Sequence, residues 1–188
     1  MRWTQKLMRE VVSEERIALG LSATDKFDPY LLAEEHGIPV YTLTDLRTWG
    51  VGEEAHVHFT GANSGKWSAA LIPFGHGRVI VEHDGHAHVR RRASIAHELG
   101  HLLLEHQFGA SLIGGDHERL FDKAKEKQAN FMAGELLIPE VAARKAAFAK
   151  WTNDEVADVY GVSVRFAQMQ MKGVRVFAQR AARKYGTQ

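Results

Sequence analysis

The spacing of apolar and polar residues divides the chain into helices, a short sheet and further helices. Trp3, Leu7, Val11 (or Val12) and Ala18 fall near helical spacing over residues 3–19, and Gly20 supplies a stop. Asp28-Pro29 opens a second helix with proline in its first turn, ending at His36-Gly37. Residues 38–43 read as a strand that Pro39 places near a sheet edge, and Thr44-Asp45-Leu46 starts a short helix. His56-Val57-His58-Phe59 reads as a further strand in a glycine-rich stretch. Residues 68–73 and 78–83 form two strands of a predicted hairpin closed by Gly75-His76-Gly77, with the next turn at Asp84-Gly85. Helices are then predicted from about Val89 to His106, from Asp122 to about Leu137 and from Glu140 to about Trp151, with a loop around Gly114-Gly115. Thr152 to Lys184 reads as two helices meeting near Gly161-Val162-Ser163. Helices, a small sheet, then helices is α+β segregation, not an alternating doubly wound sheet. We expect a main domain over residues 1–151 and a helical extension over 152–188.

The predicted helix at 89–106 carries the chemistry. Its His97-Glu98-Leu99-Gly100-His101 is a His-Glu-x-x-His pattern. Residues i and i+4 share a helix face, so His97 and His101 can hold one metal ion together. Glu98 lies about 100° around the helix, within reach of a water at that metal. Ile95, Leu99, Leu102 and Leu103 are placed towards the core, and Ser94, His97, His101 and Leu104 on the other side. With 11 histidines in 188 residues a chance match is not negligible, so the rest of the chain has to support the pattern.

Composition narrows the chemistry. A chain of this length can bury a real core, and 45% hydrophobic with 25% charged residues is ordinary for a globular protein. A net charge of +1 excludes a polycation that binds nucleic acid along its whole length. No cysteine is present, which excludes disulfides, thiolate metal sites and a cysteine nucleophile. A metal must therefore be held by histidine and carboxylate, a combination suited to hydrolysis. The first ten residues have no apolar h-region and no long apolar run follows, so we expect a cytoplasmic protein with no membrane partner. Gly61-Ala62-Asn63-Ser64-Gly65-Lys66 has a phosphate-loop look but the wrong glycine spacing, and Trp67 stands where a hydroxyl residue is needed.

A catalytic zinc site takes three protein ligands. Leu104 and Gln107 exclude the extended three-histidine form of the motif, so the third ligand should be a carboxylate on a later helix. Glu105, Glu118, Asp122, Glu126 and Glu135 are candidates. On a helical wheel Glu126 falls among Ala129, Ala133, Leu136 and Leu137, a face that should be buried, where a lone charge is costly. The competing reading pairs Glu126 with Lys123 or Lys127. Asn130, one turn on, can orient a ligand imidazole from behind.

Residues 91–104, Arg91 to Leu104, and the block Glu126-Lys127-Gln128-Ala129-Asn130 running to Glu135-Leu136-Leu137-Ile138-Pro139 resemble the ImmA/IrrE family of zinc metallopeptidases. The resemblance covers roughly residues 28–175, with its sharp motifs in 91–139. It implies a minimal zincin-like fold, a small antiparallel or mixed sheet packed on the His-Glu-x-x-His helix and helices after it. It implies Zn2+ held by His97, His101 and Glu126, with Glu98 as general base. Gln128 stands where members often carry glutamate, a departure outside the ligand set. The resemblance also implies cleavage of a partner helix-turn-helix transcriptional repressor in phage, mobile-element, stress or antiphage-defence switches. On this sequence the repressor is expected to be a separate protein.

Weaker signals remain. The substrate strand is expected antiparallel along residues 78–83. His83, His86, His117 and Tyr160 are candidate oxyanion or substrate-binding donors, each with a packing role as the competing reading. Arg90-Arg91-Arg92 opposes the dipole at a helix start and reads as a solvated charge run, with an acidic partner or a phosphate as the second reading. Ala157 to Ser163 resembles a helix-turn-helix turn, and Lys172, Arg175, Arg180, Arg183 and Lys184 make the tail basic. A helical cap is favoured there over DNA contact, with single-stranded DNA as a possible activator. The alternative to a peptidase is a non-catalytic regulator of zincin-like fold that binds DNA or a repressor.

Overall fold

The computed structural model describes residues 3–50, 53–61, 65, 67–106 and 122–185. Thr4 caps α1 (Gln5–Ala18) by accepting from the Leu7 amide, and Asp28 caps α2 (Pro29–Glu35) at Tyr30. β1 (Val40–Thr42) leads straight into α3 (Leu43–Thr48), where Thr42 and Asp45 form a reciprocal capping box. α4 (Glu53–Thr60) follows, then β2 (Ala69–Phe74) and β3 (Gly77–Glu82). The helical remainder is α5 (His88–Leu103), α6 (Lys123–Leu137), α7 (Glu140–Phe148), α8 (Asn153–Tyr160) and α9 (Val164–Tyr185). The fold is α+β, consistent with a minimal zincin-like domain, and among the described residues no helix is long and apolar enough to cross a membrane. The strand predicted at 56–59 is instead helical, inside α4. Glu53 and Glu54 in the first turn of α4 favour that helix through its dipole, and local β propensity at Val57 and Phe59 does not prevail.

The sheet runs β1-β3-β2, with β1 parallel and β2 antiparallel to β3. This corrects the substrate strand. β3 is the central strand, paired with β2 along 77–82 and with β1 at 80–82, so among the described residues the free edge next to α5 belongs to β2. The ladder is phased by the His83 amide donating to the Ser68 carbonyl at 2.9 Å. By antiparallel alternation, Ala69, Leu71 and Pro73 then turn their main-chain groups outward. Pro73 sits where no ladder donor is lost.

One cluster of buried apolar residues joins the layers. Leu71 and Ile80, opposite each other in the sheet, belong to it with Ile95 and Leu99 of α5 and Met132, Leu136 and Leu137 of α6. Leu104 is buried too, and its carbonyl accepts from the Trp3 indole at 3.1 Å. Arg16 of α1 is buried and donates to the Leu136 carbonyl at 2.8 Å, which ties α1 to α6.

The arginine run is not a solvated patch. Only Arg90 is exposed, and it bonds Ser68 Oγ and the Gly65 carbonyl, each at 3.0 Å. Arg91 forms a two-bond ion pair with the buried Glu82, which also accepts from the Tyr30 hydroxyl at 2.8 Å. Burial, with Glu82 alongside, pushes the Tyr30 phenol above its ordinary range, and Glu82 holds Arg91 firmly protonated. Arg92 is buried and donates to the carbonyls of Phe27, Tyr160 and Gly161. These contacts compensate cations placed at the unfavourable end of a helix dipole.

α5 and α6 are in close contact at Gly100. A Cβ there would lie 2.9 Å from the Ala129 carbonyl oxygen and 3.0 Å from Met132 Cβ. Gly100→Ala should gain about 1 kcal/mol of helix propensity but lose more to the clash, for a net destabilisation of about 1–2 kcal/mol. Urea unfolding of the metal-free chain measures it. A neutral or stabilised variant would show that the two helices are not in contact there.

Candidate metal centre

Three elements deliver the centre. α5 carries His97 and His101 on one face, one turn apart. The β2 edge positions Glu98, whose Oε2 accepts from the Leu71 amide at 2.9 Å. α6 presents Glu126 from its first turn, where the helix dipole favours an anion. Asp122 starts that helix by accepting from the Ala124 and Lys125 amides.

The three side chains predicted as ligands converge. His97 Nε2 and His101 Nε2 are 3.1 Å apart, His97 Nε2 and Glu126 Oε2 3.2 Å, and His101 Nε2 and Glu126 Oε1 3.4 Å. Tetrahedral bonds of about 2.0–2.2 Å place ligand atoms about 3.3–3.6 Å apart. The observed spacings agree with these within about 0.2 Å. The donor set, two imidazole nitrogens and a carboxylate, suits a divalent metal of intermediate softness. Among the described residues this is the one group of three such side chains close enough to share an ion. Glu126 is half-buried, not fully enclosed, and lies beside fully buried Ala129 and nearly buried Ala133, small residues that let α5 approach.

A cleft of about 460 Å³ opens beside the centre. His97 and Glu98 line its floor, with Ser68 and Ala69 of the β2 edge on one side and Phe166 and Met169 of α9 on the other. The other predicted site residues take different roles. Asn130 lines the cleft, but it is exposed and its amide donates to the Glu126 carbonyl at 2.8 Å, not to an imidazole. It therefore steadies the ligand's own turn of helix. Tyr160 is buried in the core and does not line the cleft. His83 is buried after β3, stacked on His86 with ring centroids 4.1 Å apart, and accepts from the Gly85 amide at 3.1 Å. Neither imidazole is on the cleft's lining. His117 and Glu118 lie outside the described residues.

Comparison with known proteins bears on this arrangement. The family model Peptidase_M78, described as the IrrE N-terminal-like domain, matches residues 33–172. The chain belongs to this family. A search of curated proteins gives no significant match. Membership in the IrrE N-terminal-like family points to a metal-using peptidase with a protein substrate. The match continues past residue 151 into α9, the helix that walls the cleft.

One contact was not anticipated from the sequence, and it changes the meaning of Gln128 in this member of the family. His101 is fully buried, and its Nδ1 lies 2.9 Å from Nδ1 of His106. His106 Nε2 in turn lies 2.9 Å from Gln128 Oε1. Burial pushes the His106 imidazole below the usual histidine range, so it is neutral at neutral pH. A neutral ring has one donor and one acceptor. Donation from His106 Nε2 to Gln128 leaves Nδ1 to accept from His101 Nδ1, and His101 Nε2 then offers its lone pair towards Glu126. The chain of bonds thus selects the metal-binding tautomer. Gln128 is two hydrogen bonds from the ligand His101, so it is linked to the centre. The available signal was spacing: His106 follows His101 by five residues, three past the last residue of α5.

His106→Ala should lower zinc affinity about 10–100-fold, the usual cost of removing such a partner. Chelator competition measures it, with circular dichroism as a check on folding. An affinity within twofold of the parent would remove His106 from the centre.

Proposed function

We propose that this chain is a zinc endopeptidase. The observation that carries the reading is the convergence of His97, His101 and Glu126 beside a carboxylate, Glu98, that is fixed to the backbone of β2, an edge strand among the described residues. His97, His101 and Glu126 would hold the ion, and a zinc ion when bound supplies Lewis acidity towards water and towards the scissile carbonyl. Glu98 takes a proton from the attacking water and delivers it to the leaving amine. The Leu71 amide keeps one carboxylate oxygen in place, and the proton moves at the other. The substrate adds as a strand along β2, where the outward main-chain groups of Ala69 and the outward carbonyl of Leu71 can pair with it.

The proposed substrate is a helix-turn-helix transcriptional repressor, cut to release a phage, mobile-element, stress or antiphage-defence operon. The family resemblance supports that choice. Single-stranded DNA is proposed as a trigger on the basic tail, where Arg180, Arg183 and Lys184 are exposed on α9. A non-catalytic regulator is the second reading. It draws on the α8–α9 turn, where Gly161 adopts φ +62° and Val162 and Ala167 are buried, as a helix-turn-helix requires.

Glu98→Gln separates the two. The zinc-loaded variant should keep its metal and lose about 10²–10⁴-fold in cleavage of a proteome-derived peptide library, read by mass spectrometry. Cleavage within a few-fold of the parent would contradict the assignment of Glu98 as the base.

A further inference from the structure

A second depression, of about 780 Å³, lies over α9 and shares Phe166 and Met169 with the catalytic cleft. The charged side chains that line it are all cationic, Arg165, Lys172 and Arg175, and among the described residues no acid lines it. Arg165 and Lys172 are seven residues apart, so they stand on one helix face about 10 Å apart along the axis. Both are exposed. Arg175 is anchored by the Trp151 carbonyl at 2.9 Å and by the Asn153 side chain. Between the cations and Glu98 lies an apolar step, made of half-buried Phe166 and of Met169, whose exposure is 57%. Trp67, Ala69 and Ala93 face that step across the cleft.

We propose that the two depressions form one substrate groove, and that it selects polypeptides with a bulky apolar side chain near the scissile bond and acidic residues several positions away. This inference rests on the peptidase reading. The apolar step adjoins Glu98, so a large apolar side chain can be buried there next to the reacting bond. The cations beyond it attract carboxylates and raise the encounter rate. The helix that would read DNA in a helix-turn-helix therefore forms a wall of the cleft. Its continuity with His97 and Glu98, and the apolar Phe166 and Met169 on its near face, favour a peptide over a nucleic acid as occupant.

Fluorescence anisotropy on the zinc-loaded, full-length Glu98→Gln chain tests this. The probes are a labelled decapeptide with Leu-Phe followed by glutamates, the same peptide with lysines for glutamates, and a labelled 20-base single strand. The acidic peptide is expected to bind at least tenfold tighter than the lysine peptide. Arg165→Glu with Lys172→Glu should invert that order, while Arg165→Lys with Lys172→Arg should preserve it. Metal content and circular dichroism verify that each variant is folded. Equal binding of the two peptides, or an order unmoved by charge reversal, overturns the groove. So does a single strand that binds more tightly than the acidic peptide and is lost in the same double reversal. Wild-type cleavage of the two peptides distinguishes the readings. Cleavage with no charge preference overturns the groove alone, whereas charge-dependent binding with no cleavage, with or without the single strand added, supports the groove and overturns the peptidase reading.

Discussion

The close approach of α5 to α6 is the constraint on which the centre depends. At Gly100 the two helices come so near that no side chain fits between them. That contact brings Glu126, from the start of α6, to the two imidazoles of α5. Packing alone would not make this favourable, because it crowds lone pairs and a carboxylate into one corner. A cation relieves that repulsion, and the side chains around it are already arranged to receive one. His101 is fully buried and its far nitrogen is committed to His106. The core beneath, through Ile95, Leu99 and Met132, keeps the helices from rotating away.

A second constraint joins this helical pair to the sheet. The outward amide of Leu71 binds Glu98, so the edge that can receive a peptide is fixed relative to the base. The same edge is steadied at its start by Arg90, which bonds Ser68, and Arg91 anchors the end of β3 through Glu82. The arginine run is thereby part of the scaffold that holds the cleft open between β2 and α9. Function in this fold is a property of edges and of one helix-helix contact, with little help from loops among the described residues.

The helices around the site were legible because their signals are local. Asp28 and Asp122 cap the helices they were expected to begin, and the hairpin at Gly75-His76-Gly77 forms with the anticipated strands. The His-Glu-x-x-His spacing and the small-residue face around Glu126 placed three side chains that the fold brings together. What failed was non-local or closely balanced. Residues 56–59 have strand-forming side chains, yet an acidic first turn carries them into α4. The strand order cannot be read from hydrophobic spacing, so the substrate edge was assigned to β3 instead of β2. The links from His101 to His106 to Gln128 depend on where α6 lies against the end of α5, and no single-segment pattern encodes that. Arg92 reads as surface in the sequence because its three carbonyl partners come from residues 27, 160 and 161.

The centre itself is open to one direct measurement. X-ray absorption at the zinc edge, on the full chain loaded with one equivalent of zinc, reports the number and kind of ligands. Two imidazoles at about 2.0–2.1 Å and oxygen ligands at about 2.0–2.2 Å, in four-coordinate geometry, are expected. Glu126→Ala should remove one oxygen and weaken zinc binding, while the two-imidazole signal persists. A spectrum with one imidazole or none, or one that Glu126→Ala leaves unchanged, would contradict a centre built from His97, His101 and Glu126.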